Sequence, residues 1–384
     1  MTVRANKPAF NIREKLKELT HSIGLKGREL MRAATVQEAR DLVSAGRRNM
    51  IINGDMRIAQ RGTSQNITPS DTQEVYAVDR LQFAFERGDL STTISQSTDA
   101  PDGFSNSAKV EVTTAGTDWC LWSYKFEGQD VQHLGYGTSK AKPVTLSFWV
   151  KSNLPGQYTA ELYNTDSTRS ISYAYTIDKA NTWQKITHTF PGDTVGTFNN
   201  DNEPSLQVSL FLDTDDVFTG GTFQSNWAAT SNVNRAVGNV RFSQTLGNDF
   251  YITGLQLELG KNATEFEHRS YGEELALCQR YFFYGYVLEF SPVSPYSSNY
   301  TAFVNYPVPM RAHPELTAGN VQLHYSNLGT NNVTDVSNLV DRPGNLGTRV
   351  FFTPDVTWSG STPSPVSGNG TLSATLEAYF DAEL

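Results

Sequence analysis

The hydrophobic period of this chain changes once, near residue 49, and that change governs what it can fold into. Before it, apolar residues recur at helical spacing. Ile12, Leu16, Leu19 and Ile23 fall at i, i+4, i+7 and i+11, one stripe down a helix, and Asn11 with Glu14 resembles a capping box. Gly24 and Gly27 interrupt the stripe. Thr35 and Glu38 make a second helix start, followed by Val36, Ala39, Leu42 and Val43 on one side and by Gly46 as a stop. Two short amphipathic helices cannot bury such stripes alone. They need copies of themselves, a docking surface, or the domain that follows.

After Asn49 the period becomes two. VTLSFWVKS sets Val144, Leu146, Phe148 and Val150 against Thr145, Ser147, Trp149 and Lys151. SLQVSLFLD sets Leu206, Val208, Leu210 and Leu212 against mostly polar neighbours, and FYITGLQLELG puts Leu255, Leu257 and Leu259 on one face. Several such strands with Gly, Asn and Pro turns predict a mainly β chain, with an antiparallel β-sandwich of jelly-roll type over 49–266. The long polar stretch from Asp213 to Asn239 reads as a surface loop. Residues 284–384 predict a second, sandwich-like β domain that closes on the alternating strand GTLSATLEAYFDAEL.

The charge divides at the same place. Residues 1–48 hold eleven Lys/Arg and five Asp/Glu, a net +6, which leaves −15 for the remainder of a chain whose total is −9. A basic head on an acidic body implies different partners for the two parts. The overall sign argues against general nucleic-acid binding. No apolar run is long enough to predict a transmembrane helix, and the basic N-terminus lacks the apolar core of a secretory signal. The two cysteines, Cys120 and Cys278, give neither a disulfide framework nor a paired metal-binding motif.

One window looks chemical. FEHRSYGEELALCQRYF, residues 266–282, crowds carboxylates, a histidine and a thiol together. Read as a helix it becomes ordinary. Ser270 and Glu273 form a capping box, and Glu273 and Glu274 suit the positive end of the helix dipole. Tyr271, Leu275, Cys278 and Phe282 share one face, predicted to be buried. Residues 267–283 therefore read as a linker helix, with His268 and Arg269 placed to lock the junction through an ion pair.

The stretches NMIINGDMRIAQRGTS (49–64), VTLSFWVKSNLPGQYT (144–159), FYITGLQLELGKNATEFEHRSYGEELALCQRYF (250–282) and NYPVPMRAHP (305–314) together resemble a family of bacteriophage virion proteins. These are commonly labelled tail-fibre or minor structural proteins and are frequent in marine and cyanobacterial phages. VRANKPAFNIREKLKELTHSIGLKG (3–27) resembles a leader found on various structural proteins of such phages. The resemblance implies a virion protein that docks to other virion proteins through residues 1–48. Ile12, Leu16, Leu19, Ile23, Leu42 and Val43 are then the docking or oligomerising residues, and a homotrimer is implied by analogy with fibres.

The sandwich also resembles jelly-roll carbohydrate-binding modules, many of which hold a structural Ca²⁺ where first and last strands meet. That resemblance makes Asp55, in the Asn53-Gly54-Asp55 motif of an expected first strand, and Glu258 candidate calcium ligands. A plain turn is the competing reading of Asn-Gly-Asp. Aromatic rings could stack on host-surface glycan. Trp119, Trp149, Trp183 and Trp227 are candidates, with Trp227 favoured because it sits in a polar loop, and Trp119 expected to point away from the core.

Enzyme templates are missing. The sequence holds no GxSxG, HExxH, Walker loop or strand-linked GxGxxG, and its six histidines show no metal spacing. Asp215 and Asp216 read as a solvated loop pair. The expectation is a non-catalytic tail-fibre or appendage subunit that contacts the host surface, without nucleic acid or membrane as partner. The alternative is a head-decoration or tail-assembly protein with no receptor-binding role.

Overall fold

The computed structural model describes residues 48–287 and, beyond them, 290–292, 300–312, 314–325, 329–333, 336–337, 347–354 and 372–384. The candidate docking residues Ile12, Leu16, Leu19, Ile23, Leu42 and Val43 lie outside the described residues. Strands are numbered along the chain. One six-stranded sheet runs β1 (Ser64–Ile67), β4 (Ser91–Ser97), β5 (Ser107–Thr114), β13 (Asp249–Leu259), β7 (Val144–Ser152) and β10 (Gln184–Phe190). A seven-stranded sheet runs β12 (Ala228–Ala229), β9 (Arg169–Ile177), β8 (Gly156–Asn164), β11 (Pro204–Asp213), β6 (Cys120–Glu127), β3 (Leu81–Phe85) and β2 (Glu74–Val78). Every pairing is antiparallel, and the chain passes repeatedly from one sheet to the other. This is the jelly-roll-type sandwich that the alternation predicts.

The period-two residues face each other between the sheets. Val144, Leu146, Phe148 and Val150 meet Leu206, Val208, Leu210, Leu212, Trp122 and Tyr124 in one buried cluster. Each large apolar side chain taken out of water there contributes about 1.5–3 kcal/mol. Two further four-stranded antiparallel sheets follow. One is β14 (Phe282–Val287), β21 (Leu372–Asp381), β17 (Glu315–Tyr325) and β18 (Gly329–Val333). The other is β15 (Phe290–Pro292), β16 (Tyr300–Asn305), β20 (Gly347–Pro354) and β19 (Val336–Ser337).

Three expectations change. The Asn53-Gly54-Asp55 segment is not a first strand. Residues 49–58 form an irregular, mostly buried stretch laid along β13, with Met50 N donating to Leu257 O and Leu255 N to Gly54 O. A Cβ on Gly54 would stand 2.2 Å from the Leu255 carbonyl oxygen, so only glycine permits that approach. The stretch Asp213–Asn239 is not simply a surface loop either. It folds over the outer face of the seven-stranded sheet, where Phe218 and Ala236 are buried with Ala84, Leu121 and Phe211. Arg235 anchors it through a bidentate pair with the fully buried Glu161, at 2.8 and 2.6 Å.

The linker helix spans Tyr271–Gln279 and carries the Ser270–Glu273 capping box on both of its hydrogen bonds. Its buried face differs from the expected stripe. Tyr271 is exposed, Glu274 and Cys278 are buried, and Phe282 already belongs to β14. The polar residue at 274 takes the inside position in place of the aromatic at 271 because its carboxylate pairs there with Arg269 and accepts from the Asn53 backbone nitrogen.

Candidate functional site

At one end of the sandwich four segments meet: residues 48–61, the sandwich exit at 265–270, the linker helix, and the last residues of β21. Glu267 accepts hydrogen bonds from the backbone nitrogens of Arg48 and Asn49, at 3.1 and 2.8 Å. The Asn49 side chain accepts from Ile51 N and Leu257 N and donates to Leu255 O, stitching this stretch to β13. Asn53, with φ at 58°, turns the chain; its backbone nitrogen donates to Glu274, and its side chain holds Ile58 and the Asp79 carbonyl. Arg269 spans the gap, pairing with Glu267 at 3.0 Å and Glu274 at 3.2 Å and donating to the carbonyls of Asn49 and Ile51. The expected ion-pair lock is thus formed by Arg269. His268 instead packs its ring against Phe104 and Phe266.

The same end holds the C-terminal tail. Glu383 pairs with Arg80 and, at 3.5 Å, with Arg61, which also meets Asp381 at 2.9 Å. The Arg80 guanidinium lies 3.5 Å from the centre of the Tyr281 ring. Arg280 and the Tyr281 hydroxyl close on Glu127 from the other side, at 2.7 and 2.6 Å. Burial alone would raise the Glu127 carboxyl, but these donors pull it below its ordinary value. Burial pushes the Cys278 thiol well above its usual range, which makes it a small buried hydrophobe rather than a nucleophile. The crowded window is therefore a structural joint.

The joint carries a cleft of 780 Å³. Its floor is apolar, made by Ala276 and Leu277 of the linker helix and by Val308 and Pro309 of the segment after β16. Glu267 and Glu273 stand among its polar lining, with Arg269 and Arg280, whose charges are met inside the joint.

A second surface of interest is the outer face of the six-stranded sheet. Register places Trp149 beside Lys185 and Thr253, and Tyr251 between Lys151 and Lys109. Trp183 enters at the edge, 6.2 Å from Tyr251 between ring centres. The Lys151 ammonium lies 4.1 Å from the Tyr251 centroid and 5.3 Å from that of Trp183. Asp99 accepts from Lys151 and, at 3.1 Å, from the Trp183 indole nitrogen. The Lys151 hydrogen bond is the main cause that holds the Asp99 carboxyl below its ordinary value. Gly254, at φ +62°, leaves room for Phe104 and Trp149 to close together above the bulge in β13. Trp149, Trp183, Tyr251, Lys109 and Glu111 are all partly exposed. The result is a row of rings fixed in place and flanked by cations and carboxylates.

Of the residues singled out in the sequence, Trp149 and Trp183 belong to this face, and the others lie elsewhere. Trp227 is partly buried, 5.7 Å from the Tyr136 ring, with its indole nitrogen donating to Pro191 O at 2.7 Å. Trp119 faces away from the main core as expected but packs edge-on against Phe218 at 5.5 Å. Asp55 pairs with Arg57 at 2.9 Å, and Glu258 accepts from Thr264 and Gln256. Each proposed calcium ligand is thus met by its own protein donors. Among the described residues, no group of three or more His, Cys, Asp or Glu stands ready to hold a metal. Sequence reasoning named Trp149 and Trp183 but missed Tyr251 and Lys151. Alternation within VTLSFWVKS does put 149 and 151 on the face opposite the core, but alternation within FYITGLQLELG puts 251 with Leu255 and Leu257, and only the bulge between Thr253 and Gln256 turns Tyr251 outward.

No family model matches the sequence, and no curated protein matches it. Solved structures do. The enzymatically active domain of tailspike protein 4 from bacteriophage CBA120 is 13% identical over 55% of this chain, with a TM-score of 0.31; this chain spans 21% of that one. A family 11 carbohydrate-binding module of a cellulosomal cellulase from Clostridium thermocellum is 13% identical over 54% of this chain and 99% of its own, with a TM-score of 0.26. The CBM22-1 xylan-binding domain from Paenibacillus barcinonensis Xyn10C is 12% identical over 54% of this chain and 99% of its own, at 0.25. The sandwich assignment rests on this chain's own sheets.

Proposed function

We propose that this chain is a non-catalytic structural protein of a bacteriophage particle, docked through residues 1–48, whose six-stranded sheet contacts glycan on the host surface. The observation that supports the contact is the ring-and-charge row of Trp149, Trp183, Tyr251, Lys109, Lys151 and Asp99. The apolar C–H faces of a sugar ring stack on indole and phenol, while its hydroxyls pair with ammonium and carboxylate groups. Fixed rings lose little entropy on binding. A shallow open face gives weak single contacts, and copies in a homotrimer would multiply them.

The test is titration of the natural protein and of Trp183→Ala with host-surface polysaccharide, followed by tryptophan fluorescence or calorimetry. A loss of tenfold or more in affinity, about 1.4 kcal/mol, with unchanged thermal stability supports the reading. Equal binding by the variant overturns it. The alternative, a head-decoration or tail-assembly protein, draws on the interlocked joint, which suits a part that carries load between neighbours. Gold-antibody labelling of intact particles separates the two: distal fibres for host contact, head shell or tail core for architecture.

A further inference from the structure

We propose that Asp99 is the positioning residue of the ring row: carried in on the loop 98–106, it fixes the face that Trp183 offers and acts on a ligand through that ring. The ligand is that of the host-contact reading, on which this role rests. Two of the three rings are set by the sheet itself. Trp149 lies in β7 and Tyr251 in β13, each with a paired strand on both sides. Trp183 has no such support. It follows the turn at Asn181, whose φ is 55°, and precedes the first residue of β10. Its ring is therefore placed by what its side chain meets.

Those contacts are few. The Tyr251 ring stands edge-on to it, the Lys151 ammonium lies 5.3 Å from its centroid, and Asp99 takes its nitrogen. An indole has one N–H to give and no acceptor, and this one goes to Asp99 Oδ1 at 3.1 Å. Asp99 Oδ2 accepts from Lys151, so one carboxylate ties the ring to β7. Lys151 first, and then Trp183, draw that carboxyl below its ordinary 3.8 against the effect of burial, which keeps the tie ionised. Asp99 is itself held. Its backbone nitrogen donates to Ser97 Oγ at 3.1 Å, and its carbonyl accepts from the Ser107 hydroxyl at 2.6 Å. Further along the loop, the Phe104 ring rests against Phe266 and His268, at 5.1 and 5.5 Å. A loop anchored at both ends can keep a partly exposed ring still, and a ring already still loses less entropy on binding. The Asp99 side chain is 49% exposed, so its ion pair adds little to folding stability.

The test uses the full-length protein and compares Asp99→Ala, Asp99→Asn, Trp183→Phe and Asp99→Ala/Trp183→Phe with the natural chain. Acrylamide quenching comes first and needs no ligand. The Trp183 signal is isolated by subtracting the same chain carrying Trp183→Phe. Quenching of Trp183 should be roughly twofold faster or more in Asp99→Ala, with an unchanged melting temperature. Asp99→Asn keeps an acceptor for the indole N–H and should stay near the natural value. Unchanged quenching in the Ala variant, or an Asn variant quenched as fast as Ala, overturns the proposal. Titration with host-surface polysaccharide follows. Asp99→Ala, and Trp183→Phe, which keeps a ring but lacks the N–H, should each lose about threefold or more in affinity. Their combination should lose no more than either alone. A further loss in the double variant would put Asp99 on the ligand itself and overturn its role through Trp183. If the natural protein binds no polysaccharide, the host-contact reading fails, and quenching alone decides whether Asp99 sets the ring.

Discussion

Glu383→Ala tests whether the tail holds the joint. Arg80 is 2% exposed at its side chain and Glu383 is 6% exposed, so the substitution strands a buried guanidinium. Removing one partner of a buried pair costs about 3–5 kcal/mol. Arg80 keeps the Lys125 carbonyl at 2.8 Å and the Tyr281 ring, and Arg61 keeps Asp381, so the lower end applies. A loss of about 3 kcal/mol corresponds to roughly 6–12 °C in Tm for a unit of ~200 residues. The assay is thermal unfolding followed by near-ultraviolet circular dichroism, run beside Arg80→Met/Glu383→Leu. Apolar residues of similar volume often replace a buried pair at little cost, so the double variant should recover most of the loss. A single variant within 2 °C of the natural protein, roughly 1 kcal/mol or less, would refute the reasoning. So would a double variant that melts as early as the single one.

Three further outcomes follow from the same geometry. Gly54→Ala sets a methyl against the Leu255 carbonyl at 2.2 Å and should cost about 1–3 kcal/mol, read as a lower urea midpoint. Glu127 has a folded pKa below its ordinary 4.5, so its contribution is full above that value and lost as pH falls through the folded pKa. Burial raises Asp79 and Asp213, whose contributions run the opposite way, so Glu127→Gln must be compared with the natural protein. The variant should show a shallower loss of stability below about pH 4.5 in urea titrations at stepped pH. Arg235→Ala leaves Glu161 buried without its bidentate partner and should increase proteolysis within 214–243 well before the sandwich unfolds.

The alternation made the sandwich legible because each strand buries one face against a distant sheet. Val144 to Val150 and Leu206 to Leu212 needed no partner to be identified. The cover over the seven-stranded sheet was hidden because Phe218 and Ala236 are isolated apolar residues in a polar stretch, with no period to mark them. The helix start was legible because a capping box is local. Its buried face was not, because Glu274 is kept inside by Arg269 and Asn53, and Asn53 lies 221 residues away in sequence. The Asn53-Gly54-Asp55 segment was misread as part of a first strand for the same reason, although the turn that Asn-Gly-Asp also suggests is present at Gly54 and Asp55. The aromatic row was half legible: tryptophans advertise themselves, whereas Tyr251 and Lys151 become notable only once β13 and β7 are neighbours.

The joint also sets how force would pass through the chain. Residues 48 and 267 lie side by side, joined by Glu267, so the 218 residues between them form a closed bight. Tension between the N-terminal head and the C-terminal sheets would run through Arg269, Glu267, Glu274 and Asn53 and bypass the sandwich. The sandwich then hangs beside the line of pull, like a block moored to a cable. Its outer face can be rebuilt by substitution while the cable stays taut.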